Sequence, residues 1–146
     1  VAMIDSGPEP STRCLTYRAF LAEAGLAWSE RSEVRVEESH DGGIAAAAQL
    51  LDRDLAMDAV LAFNDVLAVG AMKGMAQAGR RVPEDVAVVG MDGLDVSALV
   101  IPALTTLAID LPGLAAHAAE LADAVLRGER PTPLTVAREL VVRESA

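Results

Sequence analysis

The sequence has few aromatic residues, a single cysteine, and far less positive than negative charge. One Trp, one Tyr and two Phe among 146 residues suit small aliphatic packing of helices on a sheet better than an aromatic-lined groove. Cys14 stands alone, so there is no internal disulfide and no disulfide-built secreted scaffold. No apolar run approaches the roughly 20 residues that span a bilayer. The opening Val1-Ala2-Met3-Ile4-Asp5 lacks the basic flank and long apolar core of a signal peptide. It also lacks an initiator Met, and the reading expected from this is a start within a longer protein. Twelve basic residues against 22 acidic ones give a net charge of −10. A surface this acidic is repelled by the charged line of a duplex, so the chain is not expected to hold DNA by itself.

What is present is a globular chain, 52% hydrophobic, long enough for one compact domain with its own core. Val1 to Asp5 reads as a short buried strand. Ser11 then looks like an N-cap, with Cys14, Tyr17, Leu21 and Ala24 on one helical stripe that ends at Gly25. Glu33 to Glu38 alternates charged and Val residues, as a half-exposed strand does. Asp41-Gly42-Gly43 is expected to break that strand ahead of a second helix that turns Ile44, Ala47, Ala48 and Leu51 inward. Asp58 to Phe63 is another strand, and Asn64-Asp65 opens a helix reaching about Ala78, closed by Gly79. Gly70 and Gly74 share one face of that helix and allow a sheet or second helix to approach, at about 1 kcal/mol each in helix propensity. Val86 to Met91 is a nearly continuous apolar run, as in a strand covered on both sides.

This alternation predicts an α/β fold, a parallel sheet with helices on both faces. Thr105 to Ile109 reads as a further strand, Asp110 as the cap of a helix with Pro112 in its first turn, and Val136 to Val142 as a last strand. Ligands of open parallel sheets bind beyond the carboxyl ends of the strands. Asp5, Asn64 and Asp92 fall at such ends. A carboxylate and an amide together accept and donate, which suits the hydroxyls of a small polar ligand. A plainer reading stays equally open: Asn64 and Asp65 as helix caps, and Asp92 as a turn former.

Other chemistries have no constellation behind them. His40 and His117 are far apart and without Cys companions, so a zinc site is not expected. No phosphate-loop or dinucleotide glycine spacing occurs, and no nucleophile elbow. The expectation is therefore a protein that is not an enzyme and needs no cofactor.

Four segments carry a resemblance. Ala62-Phe63-Asn64-Asp65 through Gly70-Ala71, Arg81-Val82-Pro83-Glu84-Asp85 through Gly90-Met91-Asp92, Pro102-Ala103-Leu104-Thr105-Thr106, and Arg138-Glu139-Leu140-Val141-Val142-Arg143-Glu144-Ser145 resemble motifs of the lactose/galactose-repressor (LacI/GalR) family, in the family's order and spacing. The resemblance implies a two-lobed, periplasmic-binding-protein-like effector domain behind an N-terminal helix-turn-helix. An effector between the lobes shifts their orientation and so changes operator affinity. By this resemblance the chain corresponds to the C-terminal lobe over 1–104, a crossover strand and helix of the N-terminal lobe over 105–130, and a return strand over 131–146. The helix-turn-helix and most of the N-terminal lobe are expected to lie outside it.

The resemblance also implies residue roles. Asn64, Asp92 and Arg13 inherit contacts to the effector, expected to be a sugar or related polyol. An aromatic that usually stacks on the effector is replaced by Glu38 if the loop register holds; a slip of one or two residues is the alternative. Gly93 stands where the family often has a second acid. Leu67, Val69, Val96, Leu99 and Val100 are expected to supply a homodimer face. The helix near Leu114–Arg127 is expected to expose Leu114, Leu121 and Val125, and so either to favour self-association or to be repositioned. The implied protein is a cytoplasmic transcription repressor, touching operator DNA only through its helix-turn-helix and no membrane. The competing reading is one lobe of a periplasmic sugar-binding protein that feeds a transporter.

Overall fold

The structure is a computed structural model that describes residues 1–53 and 56–146. Its six strands form one sheet in the order β2-β1-β3-β4-β5-β6. They are β1 (Ala2–Ser6), β2 (Glu33–Val36), β3 (Ala59–Ala62), β4 (Ala87–Asp92), β5 (Thr105–Ile109) and β6 (Arg138–Val141). The first five run parallel, and β6 closes the edge antiparallel to β5. The helices are α1 (Thr12–Glu23), α2 (His40–Asp52), α3 (Asp65–Gln77), the short α4 (Val96–Leu99) and α5 (Leu111–Leu126).

Side-chain parity along the strands divides the core. Ile4, Val60, Ala62 and Val88 meet α2 and α3 through Ala46, Ala47, Leu50, Leu67, Ala71 and Met75. On the opposite face, Met3 and Leu61 meet Cys14, Tyr17 and Leu21 of α1. Beyond α1 that face is open. A cavity of about 430 Å3 there is lined by Tyr17, Phe20, Leu61, Met91 and Leu107, with Arg13 and Arg138 among its other lining residues.

The glycines of α3 do what their spacing predicts, with α2 as the close neighbour. A Cβ on Gly70 would sit 2.9 Å from the Gly43 Cα, and one on Gly74 2.7 Å from the Ala47 Cβ. This contact also corrects the expected start of α2. Strand β2 has already ended at Val36, and Asp41-Gly42-Gly43 lies inside α2 and not ahead of it. Ser39 caps the helix by accepting from the Gly42 N–H at 3.0 Å, and Gly43 is buried against α3. The helix turns Gly43, Ala46, Ala47 and Leu50 inward. Of the residues expected inside only Ala47 is fully buried, because the inward face of α2 is set one position earlier than the expected stripe, at Gly43, Ala46, Ala47 and Leu50.

Two further expectations change. Leu67, assigned to a dimer face, is fully buried in the core between α3 and the sheet and offers no surface. The boundary at 104/105 is not a structural one, because β5 is hydrogen-bonded in parallel register to β4, with Val89 opposite Thr105 and Asp92 opposite Ala108. The tail after β6 is laced into the same sheet. The Ser145 carbonyl accepts from the Val88 N–H at 2.8 Å, and the Ser145 hydroxyl accepts from the Thr105 N–H at 2.8 Å and donates to the Val88 carbonyl at 2.6 Å. Helix α5 stands apart: Leu114 and Val125 are exposed, Leu121 is half-buried, and only Ala124 is buried.

Candidate functional site

The carboxyl ends of β1, β3 and β4 each deliver one of the expected acids or amides, but with different fates. Asp5 is fully buried and spent on structure. Its carboxylate accepts from the Ser11 N–H at 2.9 Å and the Ser11 hydroxyl at 2.5 Å. Ser11 in turn caps α1 by accepting from the Cys14 N–H at 3.1 Å. The pair fixes where α1 begins and so where Arg13 points.

Arg13 lies in the first turn of α1 and reaches across to β3 and β4. Its Nη2 donates to Asp92 Oδ1 at 2.9 Å, its Nη1 donates to the Phe63 carbonyl, and its guanidinium carbon sits 4.3 Å from the centre of the Phe63 ring. A guanidinium can do all three at once because it is planar and carries several donors. Asp92 also receives Arg138 of β6 at 3.8 Å on the same oxygen. All three groups keep contact with solvent, with about a quarter to a third of each side chain exposed.

Asn64 is the helix cap that the plainer reading made it, and it also holds Glu38. Its Oδ1 accepts from the Leu67 N–H at 2.9 Å and caps α3, while its Nδ2 donates to Glu38 Oε1 at 2.6 Å. Glu38 thus lies on Asn64, in the loop register that turns it toward the strand ends. The expected residues come together as two linked pairs, Arg13–Asp92 and Asn64–Glu38, joined at the backbone of Phe63 and Asn64. Each pair sets donors beside acceptors, with Asn64 buried and Arg13 and Asp92 partly exposed.

Two participants were not singled out from the sequence. Arg138 enters only through the antiparallel register that sets it opposite Ile109; nothing in the spacing of residues reveals that pairing. Asp65 is not the cap of α3 but a fully buried carboxylate. It accepts from the Thr106 hydroxyl at 2.6 Å and the Leu94 N–H at 2.7 Å. Burial pushes its pKa up, the Thr106 and Leu94 hydrogen bonds oppose this, and the Asp92 charge adds to the rise. Asp92 itself has φ 105, a left-handed conformation that costs a side-chain-bearing residue on the order of 1–3 kcal/mol. Gly93 follows at φ 73, where a glycine is at ease.

The remaining polar groups lie elsewhere. Cys14 is buried on the α1 face, and burial, reinforced by Glu33 and Asp5, pushes its thiol up to about 11, so it stays an unreactive thiol at neutral pH. His40 lies 3.2 Å from Asp41 and His117 3.4 Å from Glu120, both at the surface.

A parallel sheet with helices on both faces and polar groups gathered beyond its carboxyl ends is the arrangement of a ligand-binding α/β lobe. Residues 3–146 match the family described as periplasmic binding protein-like domain. The chain belongs to that family, among its lactose/galactose-repressor (LacI/GalR) members. It is 36% identical over 131 residues to the HTH-type transcriptional regulator CelR of Thermobifida fusca, covering 88% of this chain and 38% of that protein. It is 38% identical over 117 residues to the transcriptional regulator GalR of Escherichia coli, covering 80% of this chain and 34% of that one. Among solved structures, a LacI family transcriptional regulator from Arthrobacter in complex with lactose superposes with a TM-score of 0.89 at 36% identity, over 99% of this chain and 55% of that one. A CelR–cellobiose complex superposes at 0.88 and 34% identity, over 99% and 46%. The chain thus spans between about a third and about half the length of these relatives.

Proposed function

We propose that this chain is the effector-sensing and dimerising lobe of a DNA-binding transcription regulator in the cytoplasm, taking a sugar or related polyol at its carboxyl edge. The observation that carries the reading is the linked set Arg13–Asp92 and Asn64–Glu38, which offers guanidinium, carboxylate and amide groups to neighbouring hydroxyls. Asn64 keeps a second amide N–H beyond the one given to Glu38. The two sugar-bound relatives, with lactose and with cellobiose, support a saccharide. The regulators among the relatives favour this reading over a transporter's binding protein.

Calorimetric titration of the full-length protein with lactose and cellobiose tests it. Asn64→Ala and Asp92→Asn each remove a direct contact worth about 1.5–3 kcal/mol where a charged group is involved, so affinity should fall roughly tenfold to a hundredfold. Unchanged affinity in both variants would remove these residues from the site.

The dimer face reads from Val69, Val96, Leu99 and Val100, with Leu67 withdrawn to the core. Leu99 is 78% exposed and Ile101 95% exposed. Beside them lies a groove of about 650 Å3 whose lining includes Val69, Met72, Val100 and Pro102. The groove is mainly apolar, with Lys73, Arg80, Arg81 and Glu84 also among its lining residues; an apolar knob beside it can be self-complementary under a two-fold axis, and exposed patches of this kind are covered by partners.

A further inference from the structure

We propose that Asp65 is a positioning residue of the site: its buried carboxylate sets the bend that presents Asp92 and so fixes Asp92 relative to Asn64. The proposal rests on the reading of Arg13, Asn64 and Asp92 as effector contacts. The two residues after Asp92 are both tied by their amides to the same buried group. The Leu94 N–H donates directly to Asp65 Oδ2 at 2.7 Å. The Gly93 N–H donates to Thr106 Oγ1 at 3.3 Å, and that hydroxyl donates onward to Asp65 Oδ1 at 2.6 Å. Asp92, just before them, is the non-glycine residue at positive φ among the described residues, a conformation that persists only when its surroundings over-determine it.

Capping does not explain the carboxylate, because Asn64 already caps α3. A buried carboxylate is costly to desolvate and is retained where both oxygens are satisfied, as they are here. The neighbouring strand is shaped to it: a Cβ on Gly90 would collide with Asp65 Oδ1 and sit 3.0 Å from Leu104 Cδ2. Consecutive residues therefore divide the work. Asn64 caps α3 and holds Glu38, and Asp65 locks the loop carrying Asp92. Asparagine at 65 would keep the shape but present an NH2 to one of two donors, and valine at 106 would break the bridge to Gly93.

Three variants of the full-length protein test this: Asp65→Asn, Thr106→Val and, as the conservative control, Thr106→Ser. Affinity for lactose and cellobiose is measured by calorimetry below the melting temperature of every variant. Amide exchange of the 92–96 segment is followed by mass spectrometry. Asp65→Asn and Thr106→Val should each weaken the sugar at least tenfold and speed exchange in that segment at least tenfold, with Thr106→Ser restoring both. A purely structural role would lower the melting temperature and leave affinity within twofold of wild type, and that result overturns the proposal. If Asp65→Asn does not fold, Thr106→Val is judged by the same two outcomes. If neither sugar binds the wild type, the saccharide reading fails by itself. The proposal then stands or falls on whether the variants loosen the 92–96 segment; wild-type exchange there overturns it.

Discussion

Arg13 makes an ion pair, a carbonyl hydrogen bond and a ring stack with one planar group, and a lysine can reproduce only the charge. Arg13→Lys would give up the Phe63 stack and one of two hydrogen bonds, together on the order of 1.5–2 kcal/mol. Because these contacts lie within the folded chain, the expected outcome is a stability lower by up to that amount, together with weaker effector binding from the loss of a positioned guanidinium. Titration calorimetry and thermal unfolding on the same samples check both halves. At Glu33 the balance concerns stability. Burial pushes its carboxyl up, but hydrogen bonds from Arg18 and Trp28 outweigh this and hold it below the ordinary carboxylate range. Arg18 donates through Nε at 2.7 Å and Nη2 at 2.5 Å, and the Trp28 indole N–H donates at 2.5 Å. The native state therefore binds this proton less readily than the unfolded chain. The stabilisation is complete above the unfolded carboxylate's range and is lost as pH falls through and below it. Urea unfolding at pH ~7 and pH ~3.5 should show a smaller acid-induced loss in Glu33→Gln than in wild type; equal losses would sink this assignment.

At the scale of elements, the α2–α3 contact reverses an ordinary rule. Alanine is favoured over glycine in a helix by about 1 kcal/mol, yet Gly43→Ala should destabilise the protein. The new Cβ would meet backbone, with Ala71 N and Gly70 Cα each at 2.9 Å, and backbone cannot swing aside as a side chain can. Overpacking of this kind costs about 1–3 kcal/mol, enough to exceed the propensity gain. Chemical denaturation of Gly43→Ala reads the sign directly. A more stable variant would mean that the helices separate at little cost. The tail is the second such case. Ser145 is fully buried and makes hydrogen bonds to both β4 and β5, so Ser145→Ala leaves buried backbone groups unpaired and should cost about 1–3 kcal/mol.

For the whole molecule, apolar surface and charge point to different partners. Leu99 and Ile101 stand out beside the groove under α3, while the net charge of −10 disfavours contact with a duplex. Val100→Asp should convert a dimer of the full-length protein to monomer, read by light scattering, with the far-ultraviolet spectrum unchanged; an unchanged mass would move the interface elsewhere. This chain alone should show no affinity for duplex DNA at physiological salt in a mobility-shift assay.

The alternation of strands and helices, the caps at Ser11 and Asn64 and the glycine approach on α3 were all legible in the sequence, because each follows from local periodicity or from what a single residue type permits. So was the family, because four motifs recur in one order. Tertiary structure alone decided which side chains share a site. Arg13 meets Asp92 across 79 positions, and Arg138 arrives through an antiparallel register. It also decided that Leu67 faces the core and that α2 begins ahead of its glycines. Asp65 shows the difference most plainly: beside Asn64 it reads as a second helix cap, and only the packing of β4, β5 and the 92–94 bend around it makes it a buried acceptor. Local pattern fixes which elements form, but the distances between them depend on which groups must be desolvated together, and that is settled only when the sheet closes.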